Sequence, residues 1–284
     1  RVESFIARGE PILFALPGFP AKSPNRYKVL GCEPDMAEWL ALGFLQSLCD
    51  RIRSEYEPGA RVVICSDGRV FSDLLGIPDA DVTRYQTGIA SMIEKMGARD
   101  LSLFNMEGEF GAGGGFDEMR RKLMERHSEP LEAIREAVRR GGDAASLYRG
   151  LARVLLEDSL GPDNREPLSV LRKLCRERTY GVIQRSKAWG ALVAGRFPEV
   201  IRLSIHPQPC GSGKLGLHFL ETTDNWLTPW HGVAVKLAGG GFVLMPRRQA
   251  EKEGATVVRS EEFPVHFVAP PSFSLSQTPT FGAG

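Results

Sequence analysis

Cysteine is scarce and poorly placed for structural work. The five cysteines, Cys32, Cys49, Cys65, Cys175 and Cys210, are odd in number and scattered, with no C-x-x-C pair. That excludes a disulfide framework and a structural zinc site. Net charge is almost absent as well: 36 Lys and Arg stand against 35 Asp and Glu, leaving +1. No overall field would therefore hold the chain on nucleic acid or an anionic membrane, so any anion site must be local. No apolar run approaches the ~18 to 20 residues of a membrane span, and no signal-peptide pattern opens the chain. The expected setting is reducing, soluble and cytoplasmic. H-E-x-x-H, G-x-S-x-G and EF-hand patterns are missing too, which removes zincins, serine hydrolases and calcium loops.

Two glycine-rich stretches fail as nucleotide loops. Gly111 to Gly115 lacks the third glycine of G-x-G-x-x-G, and Gly211-Ser212-Gly213-Lys214 is followed by Leu215 where a Walker loop needs Ser or Thr. Both read as flexible loops.

What is there is an ordinary globular composition, 284 residues at 42% hydrophobic and 25% charged, enough for one large domain. A loop over 16–34 leads into a helix starting at Asp35, with Glu38 where a capping box wants it. Pro58-Gly59 ends that helix, and 61–66 is a β-branched strand opening into Ser66-Asp67-Gly68-Arg69. Helical spacing returns from Val82 to Met96, with a further strand over 101–105. Residues 116–178 read as mostly helical, broken at Pro130, Gly141-Gly142 and Gly161-Pro162. From Val200 the pattern turns to short strands at 200–206, 215–220, 231–237, 241–246 and 255–258. The expected fold is α/β, a Rossmann-like sheet with a helical middle region and a strand-rich C-terminal half. Residues 270–284 carry no charge and are rich in Pro, Ser, Thr and Gly, which reads as a linker or disordered tail.

Three constellations could carry chemistry. Lys22, Ser23, Asn25, Arg26 and Lys28 crowd cations and polar groups between prolines, a composition suited to a phosphate and equally to a solvated basic loop. Asp67 and Arg69 follow a strand, where α/β sheets bind ligands, although Asp-Gly is also a turn signal. In the closing half, Arg202, Ser204 and His206 alternate onto one strand face, and Trp230 and His231 follow in T-P-W-H. Either histidine could serve in proton transfer or simply pack. Arg185 and Lys187 form a further cationic patch in Q-R-S-K-A-W that could equally be a helix surface.

LPGFPAKSPNRYKVLGCEPDMAE (16–38), SDGRVFSD (66–73), Asp81 to Tyr85, RSKAW (185–189), RLSIHPQP (202–209) and TPWHGVAV (228–235) together resemble the isocyanide (isonitrile) synthase family. That group is also described as pyoverdine and dityrosine biosynthesis proteins. The resemblance implies a synthase domain over 1–269, a Rossmann-like fold, and conversion of an amino acid's amino group to an isonitrile in secondary metabolism. It implies ribulose 5-phosphate as co-substrate and carbon donor, and neither metal nor redox cofactor.

Within that frame, the loop carrying Lys22 and Arg26, with Arg185 and Lys187, is expected to anchor the phosphate. His206, His231 and Asp67 are the expected acid-base groups, and Lys187 or Lys22 an alternative Schiff-base lysine. Arg69 or Arg202 would pair with the substrate carboxylate, Ser204 shares their polar face, and Tyr85 and Trp230 either shape the pocket or pack. The expected partners are small molecules, with no nucleic acid and no membrane, and the tail fits a linker to a second biosynthetic module. Another phosphosugar-dependent lyase or transferase, or a non-catalytic phosphosugar-binding module, are the rival readings.

Overall fold

The computed structural model describes residues 1–111, 113, 115–206, 208, 211–222, 224 and 226–273; Cys210 and most of the 270–284 tail lie outside them. The chain opens with α1 (Val2–Arg8), β1 (Ile12–Pro17), α2 (Met36–Glu55), β2 (Ala60–Cys65), α3 (Gly68–Leu75), α4 (Asp79–Lys95) and β3 (Leu101–Phe104). A helical block follows: α5 (Met106–Phe110), α6 (Phe116–His127), α7 (Leu131–Arg140), α8 (Gly142–Ser159) and α9 (Leu168–Arg196). The closing half holds β4 (Ile201–Ser204), β5 (Lys214–Gly216), β6 (Glu221–Thr222), a 3₁₀ turn at Pro229–His231, β7 (Val233–Lys236), β8 (Phe242–Met245), α10 (Arg247–Lys252), β9 (Thr256–Val258) and β10 (His266–Val268).

Five strands form one sheet in the order β3-β2-β1-β4-β5, and every pairing in it is parallel. This is the Rossmann-like order, which reverses direction between β1 and β4. The expected α/β class holds, and the helical middle region extends further than its sequence breaks implied, since α9 runs on to Arg196 and takes in Arg185 and Lys187. The strand-rich half contributes β4 and β5 to this sheet. Its other strands build a separate one, β6-β8-β7-β10-β9.

Side-chain alternation assigns the two faces of the first sheet. Ile12, Phe14 and Leu16 of β1, Val62 and Ile64 of β2 and Leu203 of β4 pack with Leu42 and Leu45 of α2 and Tyr85 and Ile89 of α4. Ala15, Val63 and Cys65 turn to the other side, against Val70 and Phe71 of α3, Leu123 of α6 and Trp189 and Leu192 of α9. The capping box of α2 is formed as expected, with Asp35 accepting from Ala37 N and Glu38 accepting from Asp35 N, both at 2.9 Å. The second sheet buries Val233, Val235, Val243, Met245 and Phe267 with Ala250 of α10, while Ala234 and Leu244 share the α2 core.

β1 is the central strand of the first sheet, and the periodicity of the sequence does not reveal it. ILFALP is apolar at almost every position because both faces are covered, so no alternation marks it. The strand read at 61–66 is therefore β2, the second rather than the first.

Candidate active site

The carboxyl ends of β1, β2 and β4 meet at the point where strand order reverses, the usual ligand position in such sheets. At the end of β1, Phe19 has φ +54, the only positive φ at a non-glycine among the described residues. Such a conformation costs of order 1–3 kcal/mol and is kept only when the surroundings fix it. Here Phe19 is buried, its ring lies 5.4 Å from that of Trp230, and its carbonyl accepts from Ser66 Oγ at 2.8 Å. Ser66 in turn accepts from Gln86 Nε2 at 3.1 Å.

The loop leaving β1, expected to hold a phosphate, is tied into the fold by ion pairs and hydrogen bonds of its own. Lys22 Nζ is fully buried, 2.8 Å from Glu38 Oε2 and 3.0 Å from Asp35 Oδ2, and donates to the Pro229 carbonyl at 3.1 Å. Two carboxylates and a carbonyl thus surround the ammonium. Burial alone would lower its pKa, but Asp35 and Glu38 outweigh that and raise it. Burial pushes the Glu38 carboxyl up to about 8 despite the Lys22 charge. Ser23 Oγ donates to Asp158 Oδ1 at 2.8 Å and Ser23 N to the Trp230 carbonyl at 2.9 Å. Asn25 donates to the Glu157 carbonyl at 2.7 Å, and Lys28 Nζ lies 2.7 Å from Asp158 Oδ1. Arg26 is exposed and donates to the Leu30 carbonyl at 2.9 Å.

Several other expected ligand residues have protein partners. Arg69 is buried against Glu107, donates to Thr83 Oγ1 at 2.9 Å and lies 3.7 Å over the Phe116 ring. Arg185 donates to the Val70 carbonyl and to Asp73, tying α9 to α3. Lys187 is half-exposed and paired with Glu129 at 2.8 Å, on the helical block. Tyr85 is a core residue donating to Glu38 Oε1 at 3.2 Å, and Trp230 packs under Phe19 and Gly18.

The two histidines separate clearly. His231 has both ring nitrogens occupied: Nδ1 is 2.9 Å from Thr228 Oγ1 and Nε2 is 3.3 Å from Asp158 Oδ2. Burial would raise the Asp158 carboxyl, but His231 and Lys28 outweigh it and hold that group well below the usual carboxylate range. His206 stands just beyond β4, in a bend fixed by its backbone N–H donating to Ser204 Oγ at 3.2 Å. Its Nδ1 is buried without a hydrogen-bond partner among the described residues, and its ring lies 4.9 Å from that of the exposed Trp226. Burial, and then the His231 charge, push its pKa down to about 4, so the imidazole is neutral at pH 7.

Asp67 stands at the N-cap position of α3 yet caps nothing. Its Oδ1 is buried without a partner, and loss of hydration pushes the carboxyl up to about 7. Thus β2 and β4, on either side of β1, each end in a titratable group with one buried side-chain atom that has no partner among the described residues.

The Asp67 turn is pinned by Gly68. A Cβ there would sit 1.9 Å from the Pro20 carbonyl oxygen. Gly68→Ala is expected to lower stability by about 1–3 kcal/mol in a denaturant titration, because the loop after β1 has to move away.

A larger surface cleft of about 580 Å³ runs between α8 and α9, and one of about 480 Å³ lies on α9; both include Arg172 and Arg176. None of the strand-end residues lines them. Phe19, Ser66, Gln86 and Asn105 line a narrower crevice at the ends of β1, β2 and β3, on the side of the sheet where such folds bind ligands.

Asp158 escaped the sequence analysis because nothing around it forms a motif; only the fold brings it to Ser23, Lys28 and His231. Lys214 escaped as part of a failed Walker match, and Trp226 as an isolated aromatic. Among the described residues no helix is long and apolar enough to cross a membrane.

A family model described as pyoverdine/dityrosine biosynthesis protein matches residues 2–258. The L-tyrosine isonitrile synthase of Pseudomonas aeruginosa is 49% identical over 95% of this chain and 83% of its own length. An L-tryptophan isonitrile synthase of Fischerella ambigua is 45% identical over 94% of this chain and 80% of its own length. The crystal structure of the PvcA protein from Pseudomonas aeruginosa superposes with a TM-score of 0.89 at 48% identity, covering 94% of this chain and 86% of that one. Strand order, segment order and these identities agree, and the chain belongs to the family of pyoverdine/dityrosine biosynthesis proteins.

Proposed function

We propose that this protein is an isonitrile synthase that converts the amino group of an L-amino acid to an isonitrile, with ribulose 5-phosphate supplying the carbon. The reaction class rests on relatives named isonitrile synthases at 45–49% identity. Their named substrates, L-tyrosine and L-tryptophan, make aromatic amino acids the first to test. Ribulose 5-phosphate rests on the resemblance of the motifs at 16–38, 202–209 and 228–235.

At residue level the reading is carried by one observation: the buried Asp67 Oδ1 and His206 Nδ1, without partners among the described residues, at the ends of the strands flanking β1. Condensation of a neutral amine with the sugar's ketone releases the ketone oxygen as water. The isonitrile carbon is bonded to nitrogen alone, so both carbon-carbon bonds of the former ketone carbon must then break. The released hydrogens end on water and on the departing fragments, and no external oxidant is consumed. Each cleavage takes a proton from a hydroxyl or gives one to a departing carbon, so the site needs a base and an acid near neutrality. His206, neutral at pH 7, is the base, and Asp67, still partly protonated there, is the acid.

The base works only when deprotonated and the acid only when protonated. A plot of kcat/KM against pH should therefore rise through about 4 and fall through about 7. Asp67→Asn should abolish the alkaline limb along with most of the activity. An alkaline limb that persists in this variant would remove Asp67 from the role.

The reaction itself is tested by incubating the purified chain with ribulose 5-phosphate and the proteinogenic amino acids, read by mass spectrometry. The expected product has gained one carbon and lost two hydrogens relative to one amino acid, and heavy carbon placed at the sugar's ketone appears in it. A folded chain that yields no such product with any amino acid would sink the proposal.

A further inference from the structure

Two cations on neighbouring strands of the first sheet lie side by side with no ion-pair partner among the described residues. Arg202 of β4 and Lys214 of β5 are direct partners in the parallel register, so their side chains leave the same face of adjacent strands about 4.8 Å apart. Neither forms an ion pair among the described residues, whereas Lys22, Lys28, Arg69, Arg185 and Lys187 all do. Arg202 is half-buried, and its Nε is shielded from water without a hydrogen-bond partner. A guanidinium in that position is costly unless an anion completes it.

Small residues surround the guanidinium. Ala15 is the Arg202 partner on β1, and α9 approaches through Gly190, where a Cβ would lie 3.5 Å from Arg202 Nη2. Burial, and then the Arg202 charge, lower the Lys214 pKa. Lys214 is exposed as a whole residue, so an anion can reach the pair from solvent.

We propose that Arg202 and Lys214 form the anchor for the phosphate group of the sugar phosphate, with the guanidinium and ammonium gripping the dianion together. This rests on the sugar-phosphate reading above. Two cations suit a dianion, whereas a carboxylate is satisfied by one bidentate arginine. Position agrees with this. The pair lies within the strands while His206 lies beyond the end of β4, and a pentulose phosphate carries its phosphate at the far end of the chain from its ketone. A phosphate held at Arg202 and Lys214 thus directs the ketone toward His206.

The test uses Lys214→Gln, a change at an exposed side chain, and Arg202→Gln. Each should raise the KM for ribulose 5-phosphate by about tenfold to a hundredfold, while the KM for the amino acid changes less than about twofold. Inorganic phosphate should compete with the sugar phosphate in the parent protein, and its binding, measured by calorimetry without turnover, should weaken by the same factor in Lys214→Gln. A rise confined to the amino acid KM would overturn the proposal and make the pair the carboxylate site. Unchanged constants in folded variants would overturn it outright. Should the parent make no isonitrile yet bind phosphate in a manner sensitive to Lys214, the anchor stands and the reaction assignment fails.

Discussion

His206→Asn is expected to lower kcat by about 100-fold to 10,000-fold, the range for loss of a positioned proton-transfer group. Its ring makes no hydrogen bond to the protein among the described residues, so the melting temperature should hardly move. His231→Asn should behave in the opposite sense. That ring bridges Thr228 and Asp158, and Asp158 also receives Ser23 and Lys28. Its loss should loosen the attachment of the loop after β1 to α8 and lower the unfolding midpoint, with a smaller effect on turnover. Parallel measurement of thermal unfolding and single-turnover rate separates the two. If His231→Asn proved catalytically dead at full stability while His206→Asn stayed within tenfold of the parent, the assignment of the base would be reversed.

Lys22→Met carries the largest expected effect on stability. It leaves the Asp35 and Glu38 carboxylates buried with no cation, and removing one partner of such a pair typically costs about 3–5 kcal/mol. The loss should grow with pH. Glu38 already has a folded pKa raised above its unfolded value, so the native state binds more protons and stability falls as pH rises from about 4.5 to about 8. Without the Lys22 charge the Glu38 pKa climbs further and that fall continues to higher pH, so urea midpoints of parent and variant should diverge more at pH 8 than at pH 5. Lys22→Met with Glu38→Gln should recover part of the loss. A variant with an unchanged midpoint and a raised KM for the sugar phosphate would instead restore the phosphate-loop reading.

These two experiments mark where the sequence was legible. The α2 capping box, the breaks at Pro130 and Gly141, and the strand-loop at Cys65 to Asp67 could be read because their causes are local: a cap, a missing N–H, a β-branched run. β1 was not legible because coverage on both faces erases alternation. β10 was missed as a three-residue strand that exists only by pairing with β7 and β9. Composition shows the cations of 22–28, but their meaning depends on carboxylates elsewhere in the chain. Asp35, Glu38 and Asp158 turn an anion-binding composition into a self-neutralised one. His206 and His231 were equivalent candidates for the same reason, since only the fold shows which ring still has an unengaged nitrogen.

The place of β1 also bears on how the molecule is made. One edge of β1 pairs with β2, but the other waits for β4, roughly 190 residues later in the chain. At translation rates of about 5–20 residues per second, that edge stays open for roughly 10–40 s while the helical block emerges. An apolar strand with unpaired backbone groups is a template for wrong partners. Production of this protein should therefore be limited by aggregation of nascent chains, and slower synthesis in the cold or added holdase chaperones should raise the soluble yield more than any stabilising surface mutation.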